Sequence, residues 1–187
     1  MTDRNQVTLY TGGHKGTEAE FGRCAESWGV NEVTLTFDGH VAERLRNARQ
    51  LGEAELLKGD VSMEIVSKRM GRTYHEAETI RRVLQLIFHM VNHSYYVFAV
   101  GWIQGDDTVQ GGTGWGVELA KFFNRPVSVF DQGRKTWATW HGTHWAPDTP
   151  VIPERPFAAT GTRNLTDEGR AAIRDLFERS FGPPPDR

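Results

Sequence analysis

Cysteine is nearly absent from this sequence: Cys24 is the only one in 187 residues. A lone thiol cannot build a disulfide framework and fits a reducing compartment better than secretion. Its expected role is packing rather than nucleophilic chemistry. Long hydrophobic runs are missing too. The longest, Tyr95 to Ile103, contains Gly101 and reaches about half the length of a membrane span. The opening Met1-Thr-Asp-Arg-Asn-Gln6 lacks the apolar stretch of a secretory leader. A soluble, intracellular and cytoplasmic protein is therefore expected, with an organelle lumen left open. Neither sign of charge dominates, since 22 Lys and Arg face 24 Asp and Glu, for a net charge of -2. That balance lacks the basic field of a general nucleic-acid binder.

Several site signatures are also absent. No Gly-x-x-x-x-Gly-Lys-Ser/Thr string occurs, and Gly112, Gly114 and Gly116 alternate instead of forming Gly-x-Gly-x-x-Gly. Routine ATP or NAD use has no support. His89 and His93 are four residues apart without the glutamate of His-Glu-x-x-His, and nothing marks a third ligand for His141 and His144. No metal site and no required cofactor are expected. There is no local signature of a Ser/His/Asp or Cys/His nucleophile.

What is abundant is glycine, 20 residues, with 6 Trp. At about 150 residues per domain the chain reads as one domain, and that size buries roughly two-thirds of its unfolded surface. Val7 to Tyr10 is a β-rich run ending in Thr11-Gly-Gly-His-Lys-Gly16. Thr17-Glu-Ala-Glu20 then has capping-box spacing, so a helix is expected from about residue 17 to a stop at Gly29. Val33 to Phe37 reads as the next strand, which completes a β-α-β unit. The arginine-rich stretch from Gly39 to Arg72 shows no strand signal and has helical composition over about 53–70, as a helical insertion would. Ile80, Leu84, Ile87, Phe88 and Val91 recur at helical spacing between Glu76 and His93. The unbroken apolar run Tyr95 to Val100 reads as a strand covered on both faces.

Gly111-Gly-Thr-Gly114 then opens a helix striped by Trp115, Leu119, Phe122 and Phe123, and Pro126 to Phe130 is a further buried strand ending at Asp131. Trp137 to Trp140 alternates like a short exposed strand, and a proline-spaced loop runs from Pro147 to Pro156. Phe157 to Arg163 is a strand entering a third glycine turn. Thr166 should cap the last helix, and Pro183-Pro-Pro185 cannot continue it. The expected architecture is α/β: a Rossmann-like, doubly wound, mostly parallel sheet with helices on both faces.

In such sheets ligands bind outside the carboxyl ends of the strands, where glycine lets the backbone approach closely and helix N-termini favour anions. All three glycine turns fall at that edge, and their natural guest is a phosphate or nucleotide. The candidate ligand-binding residues are Thr11, Gly12, Gly13, Lys15 and Gly16 in the first turn. Gly111, Gly112, Thr113 and Gly114 form the second set, and Gly161, Thr162 and Arg163 the third. Asp38 and Asp131, each ending a strand, could accept a ribose hydroxyl or simply form turns. Arg163 could pair with phosphate or sit in a surface ion pair. His14 and Lys15 are loop side chains with the same two options, and Trp115 could stack on a base or fill the core.

Thr11-Gly-Gly-His-Lys-Gly-Thr17, the strand Phe98 to Val100, and Gly111-Gly-Thr-Gly-Trp-Gly-Val-Glu118 resemble the SLOG superfamily. This Rossmann-like group includes the LOG proteins, formerly called lysine-decarboxylase-like. The resemblance covers most of the chain outside about 40–72 and is closer to the YpsA-like branch than to LOG. It implies binding of nucleotides or nucleotide-derived molecules. LOG enzymes cleave an N-glycosidic bond through Pro-Gly-Gly-x-Gly-Thr-x-x-Glu, and Gly111, Gly112, Gly114 and Glu118 fall on that motif. On the resemblance Glu118 is the candidate catalytic carboxylate. Gln110 stands at the motif's proline and Trp115 at its threonine. Leu86 and Ile87 stand where active LOG enzymes place an arginine, and Trp102 to Val109 lengthens the loop over the pocket. Three readings follow: a nucleotide-phosphate binder without strong catalysis, with a bound nucleotide as its one cofactor-like group; a nucleoside-monophosphate N-glycosidase; and a subunit of a larger assembly with a vestigial pocket. The arginines from 44 to 72 and the cluster Trp137, Trp140 and Trp145 motivate the last, and a homodimer is the other assembly expected.

Overall fold

Four strands at the centre of the sheet fix the architecture. The structure is a computed structural model and describes residues 1–74 and 77–185. The central strands are β1 (Thr8–Thr11), β4 (Tyr96–Gly101), β5 (Val127–Asp131) and β8 (Phe157–Gly161). Val97 to Val100, Val127, Val129 and Phe157 to Ala159 are buried, because helices cover both sheet faces. Outside them lie β2 (Asn31–Thr36), β3 (Ala48–Gln50), β6 (Thr136–Trp140) and β7 (Trp145–Pro147). The eight-stranded order is β3-β2-β1-β8-β4-β5-β6-β7, parallel except at β5-β6 and β6-β7.

The chain runs outward from β1 to β3, returns through helices to β4, and runs outward again the other way. The last strand, β8, then inserts between β1 and β4. Connections leaving β1, β4 and β8 therefore diverge around one crevice, as at the switch point of a doubly wound sheet. The result is a Rossmann-like α/β fold in a single domain.

Two hydrophobic clusters sandwich the sheet. On one face α1 (Thr17–Trp28) and α6 (Asp167–Phe181) bury Phe21, Trp28, Ile173, Leu176 and Phe177 against Phe98 and Phe157. On the other, α3 (Asp60–Met70), α4 (Glu78–Asn92) and α5 (Thr113–Phe122) bury Met63, Leu86, Met90, Trp115 and Leu119. Trp115 thus belongs to the core, against Tyr74. The α4 boundary expected at Glu76 lies outside the described residues.

Several expectations need correction. The stretch 40–72 contains a strand. β3 is wholly exposed and carries no β-forming side chain, so it pairs with β2 through backbone alone. What places it is the anchored segment before it: the Glu43 and Arg44 amides donate to the Gly13 carbonyl, and Arg44 forks onto the buried Glu32 carboxylate. The helical part divides into α2 (Glu53–Leu57) and α3, with Gly59 at the corner where a Cβ would meet Phe88 at 3.0 Å. Thr17 is not an N-cap. Gly16 holds that position at φ 89, which favours glycine, and the Thr17 amide and hydroxyl both donate to the Thr162 carbonyl. β6 is half-covered rather than exposed, because Trp137 packs edge-on against Phe98 and Phe130.

Thr166 does cap α6, its hydroxyl accepting from the Gly169 amide. Among the described residues no helix is long and apolar enough to cross a membrane.

Phe177 is fully buried at the centre of the Phe21, Trp28, Phe157 and Phe181 rings, with centroids 5.7–6.3 Å away. Phe177→Ala should cost about 3–5 kcal/mol of unfolding free energy in denaturant titration. A loss below about 1 kcal/mol would show that this cluster does not carry the α1-α6 face.

Candidate functional site

A cleft of about 410 Å³ opens where the connections after β1, β4 and β8 diverge. His14 and Glu18 line it from the β1-α1 turn, Trp102 and Gln110 to Thr113 from the β4-α5 connection, and Thr160 to Asn164 from the β8-α6 turn. Val83 and Ile87 of α4 close it with apolar surface. Ile87 stands in the wall and Leu86 is fully buried beside Gly12, so this position of α4 presents no charge.

The first glycine turn wraps a carboxylate from its own chain. Glu18 Oε2 accepts from the amides of Gly12 and His14, each at 3.1 Å, and from His14 Nδ1 at 2.9 Å. Its Oε1 accepts from the Thr160 hydroxyl at 3.3 Å. The amides that would cradle a phosphate are thus already engaged. Burial works to raise the Glu18 pKa, but the charge and hydrogen bonds of His14 with the Thr160 hydroxyl outweigh it and hold the group below the ordinary glutamate range.

The glycines of this turn serve packing. A Cβ on Gly13, at φ +67, would lie 1.9 Å from the Arg44 carbonyl oxygen, and one on Gly16 would meet the Thr162 and Arg163 carbonyls at 2.6–2.7 Å. Thr11 is buried and its hydroxyl accepts from the Gly13 amide. Lys15 is exposed and does not line the cleft.

His14 connects the carboxylate to a second imidazole. His14 Nε2 lies 2.9 Å from His40 Nε2, and His40 Nδ1 lies 3.0 Å from the Thr36 hydroxyl. With both rings neutral, His14 donates through Nδ1, His40 donates through Nε2, and the Thr36 hydroxyl donates to His40 Nδ1. With His14 charged, its Nε2 donates to His40, which donates to Thr36. Either way one proton lies between the two Nε2 atoms. For His14, burial works to lower the pKa, but Glu18 prevails and raises it despite the opposing charge of Arg163. Burial and the neighbouring His14 depress His40 to about 4.

The second and third turns differ in role from the first. At Gly111 and Gly112, which open α5 on the cleft wall, an added Cβ would meet nothing within 4 Å. Thr113 lines the same wall. Gly114 is a packing position, because a Cβ there would strike the Val109 carbonyl and Arg72. Arg72 clamps the lengthened loop by donating to the carbonyls of Val109 and Gly111. Gly161 is packed against Thr17, and Thr162 accepts through its hydroxyl from the Asn164 amide. Arg163 is exposed within the cleft and makes no side-chain hydrogen bond or ion pair among the described residues.

None of the three acidic sequence candidates lines this cleft. Glu118 is buried on α5 facing α3, held by Arg69 at 3.2 Å and Lys121 at 3.3 Å. Asp131 is buried and accepts from the Gly133 amide at 2.9 Å, a turn-forming role. Asp38 is exposed beside Gly39. Conversely, sequence reasoning passed over Glu18, His40 and Gln132. Gln132 accepts from the Thr166 amide and hydroxyl and donates to the Asn164 carbonyl, which fixes the β8-α6 turn. Glu18 had a readable signal, a carboxylate one residue inside a helix entered from a glycine turn. His40 and Gln132 had none, since their partners are remote in sequence.

A larger groove, about 600 Å³, lies between the outer surfaces of α1 and α6. Its Arg23 and Arg170 pair with Glu20, and Arg174 lies over the Trp28 ring. Cys24, also there, is pushed up to about 12 by burial and Glu20, so its thiol is not a nucleophile at neutral pH. The groove shares no lining residue with the strand-end cleft, and its cations are largely engaged. No cluster able to hold a metal ion occurs among the described residues. The features that suggested a partner surface have partners within the chain: Arg46 pairs with Glu26, Arg49 with Glu55, and Lys121 sits 3.9 Å from the Trp140 ring centroid and 5.0 Å from that of Trp145. No family model, curated protein or solved structure matches the chain.

The depressed His40 pKa makes a signed prediction. The unfolded histidine takes a proton near its ordinary 6.5 while the folded one resists until about 4, so stability is full above pH 6.5 and falls between those values. The loss should be about 2 kcal/mol after allowance for partial exposure. In urea titrations from neutral pH to about pH 4, His40→Gln should show a correspondingly shallower fall; a fall as steep as wild type would contradict the assignment.

Proposed function

We propose that the chain binds a nucleotide or a nucleotide-derived phosphate ligand in the cleft at the ends of β1, β4 and β8, without strong catalysis. One observation carries the reading: Arg163, a cation without a hydrogen-bond or ion-pair partner among the described residues, shares the cleft with the open Gly111-Gly112 pair at the start of α5. Guanidinium and helix-terminal amides together suit a phosphoryl group. Trp102 on the same wall offers a face on which a base can stack. The SLOG resemblance, drawn in part from the same Gly111-Gly112 turn, implies the same ligand class.

Binding is favoured over glycosidic hydrolysis by the state of the carboxylates. Glu118 is held by two cations away from the cleft, and Glu18, the one lining carboxylate among the described residues, accepts from two amides and an imidazole. Neither is free to activate water.

A ribonucleoside monophosphate at about 100 times its dissociation constant should stabilise the fold by about 2.7 kcal/mol. For a chain of this size that raises the melting temperature by about 5–10 °C. Arg163→Ala should abolish most of the response. Gly112→Ala, whose Cβ meets no protein atom, should keep wild-type stability within about 0.5 kcal/mol while weakening the response. Absence of any shift with wild-type protein across the ribonucleoside monophosphates would contradict the proposal.

A further inference from the structure

The charges lining the cleft nearly cancel, and one proton decides their sum. Among the described lining residues only Glu18, His14 and Arg163 carry ionisable side chains. With His14 neutral, the carboxylate and the guanidinium leave the cleft with no net charge. With His14 protonated, the cleft carries a net positive charge. We propose that the His14-His40 pair makes the cleft a proton-linked anion site, in which binding of a ligand phosphate is accompanied by proton uptake on the imidazole pair. This inference rests on the nucleotide-binding reading and adds its regulation.

The geometry supports the linkage. Three groups face His14, each from a different element. Glu18 of α1 holds His14 Nδ1, the β8-α6 turn brings Arg163 close enough for its charge to act on His14, and the segment after β2 supplies His40 to Nε2. Thr36, uncharged, completes the chain at His40 Nδ1. Arg163 opposes the proton on His14, so an anion that neutralises Arg163 removes that opposition. By reciprocity, the proton then strengthens the anion's binding. Because His40 accepts the Nε2 proton, the imidazolium acts through its charge rather than by donating to the ligand. Burial and His14 keep His40 itself neutral down to about pH 4, so the pair holds a single extra proton in mildly acidic solution. Glu18 stays ionised there, its pKa being lowered.

The test needs a probe that does not titrate, because a phosphate monoester changes charge near pH 6. The methyl ester of adenosine 5′-monophosphate keeps a single negative charge throughout. By calorimetry it should bind wild-type protein about tenfold more tightly near pH 5.5 than near pH 8.5, the scale of one charge acting across a cleft. Near neutral pH, titrations in two buffers of different ionisation enthalpy should show net proton uptake on binding. His14→Gln should bind with little pH dependence. Equal affinity at the two pH values with no proton uptake would overturn the linkage and leave nucleotide binding standing. Failure of the ester and of the parent monophosphate to bind at any pH would overturn both. His14→Gln retaining the wild-type pH dependence would overturn the assignment to this pair. If that variant does not fold, the two-buffer measurement on wild type decides.

Discussion

The carboxylate of Glu18 is the point from which the crevice is built. A buried anion costs several kcal/mol unless it is paired and hydrogen-bonded, and here the β1-α1 turn meets that demand with two amides and an imidazole, while β8 adds the Thr160 hydroxyl. Satisfying it fixes much else. The turn must curl tightly, so Gly13 takes a positive φ and lies against the Arg44 carbonyl. The His14 ring is oriented by its Nδ1, which aims Nε2 at His40 and ties the segment after β2 to the sheet centre. Thr160 brings β8 into the same network. A turn whose amides could have faced a ligand is thus occupied by its own carboxylate, and the proposed binding role falls to the two neighbouring turns.

Segment 40–50 shows how far that influence reaches. It has little apolar content, yet it is held by the Gly13 carbonyl, by the fork of Arg44 on Glu32, and by His40. Hydrogen bonding to Glu32 raises the Arg44 pKa above even the ordinary arginine value, so its guanidinium stays charged at every relevant pH. β3 follows as a consequence, an edge strand positioned by polar anchors rather than by its own side chains. The same segment carries the half of the imidazole pair that lies outside the cleft, so the loop over β1 and the ionisation of the site are physically connected.

The buried strands and the two-faced packing were legible in the sequence because burial on both sides writes an unbroken apolar run, as in Tyr96 to Val100. The helices α4 and α6 were legible through apolar periodicity and the Thr166 cap. β3 was not, because Ala48-Arg49-Gln50 pairs by backbone alone. Nor was the covering of Trp137, which depends on Phe98 and Phe130 from other strands. In the site, three glycine turns at one edge could be read from spacing. Which amides remain open could not, because that depends on a side chain folding back, as Glu18 does. Glu118 illustrates the converse: its place in a motif said nothing of Arg69, which reaches it from another helix. The resemblance supplied a ligand class, and the geometry distinguishes the turns that could serve it.

The central claim is that a phosphate-bearing ligand is held between Arg163 and the Gly111-Gly112 turn. A crystal structure of the protein with a ribonucleoside monophosphate tests it most directly. The account predicts the phosphate in contact with the Arg163 guanidinium and the first amides of α5, with Trp102 flanking the base. A phosphate seated instead in the arginine-lined groove between α1 and α6, with the strand-end cleft holding only water, would contradict it.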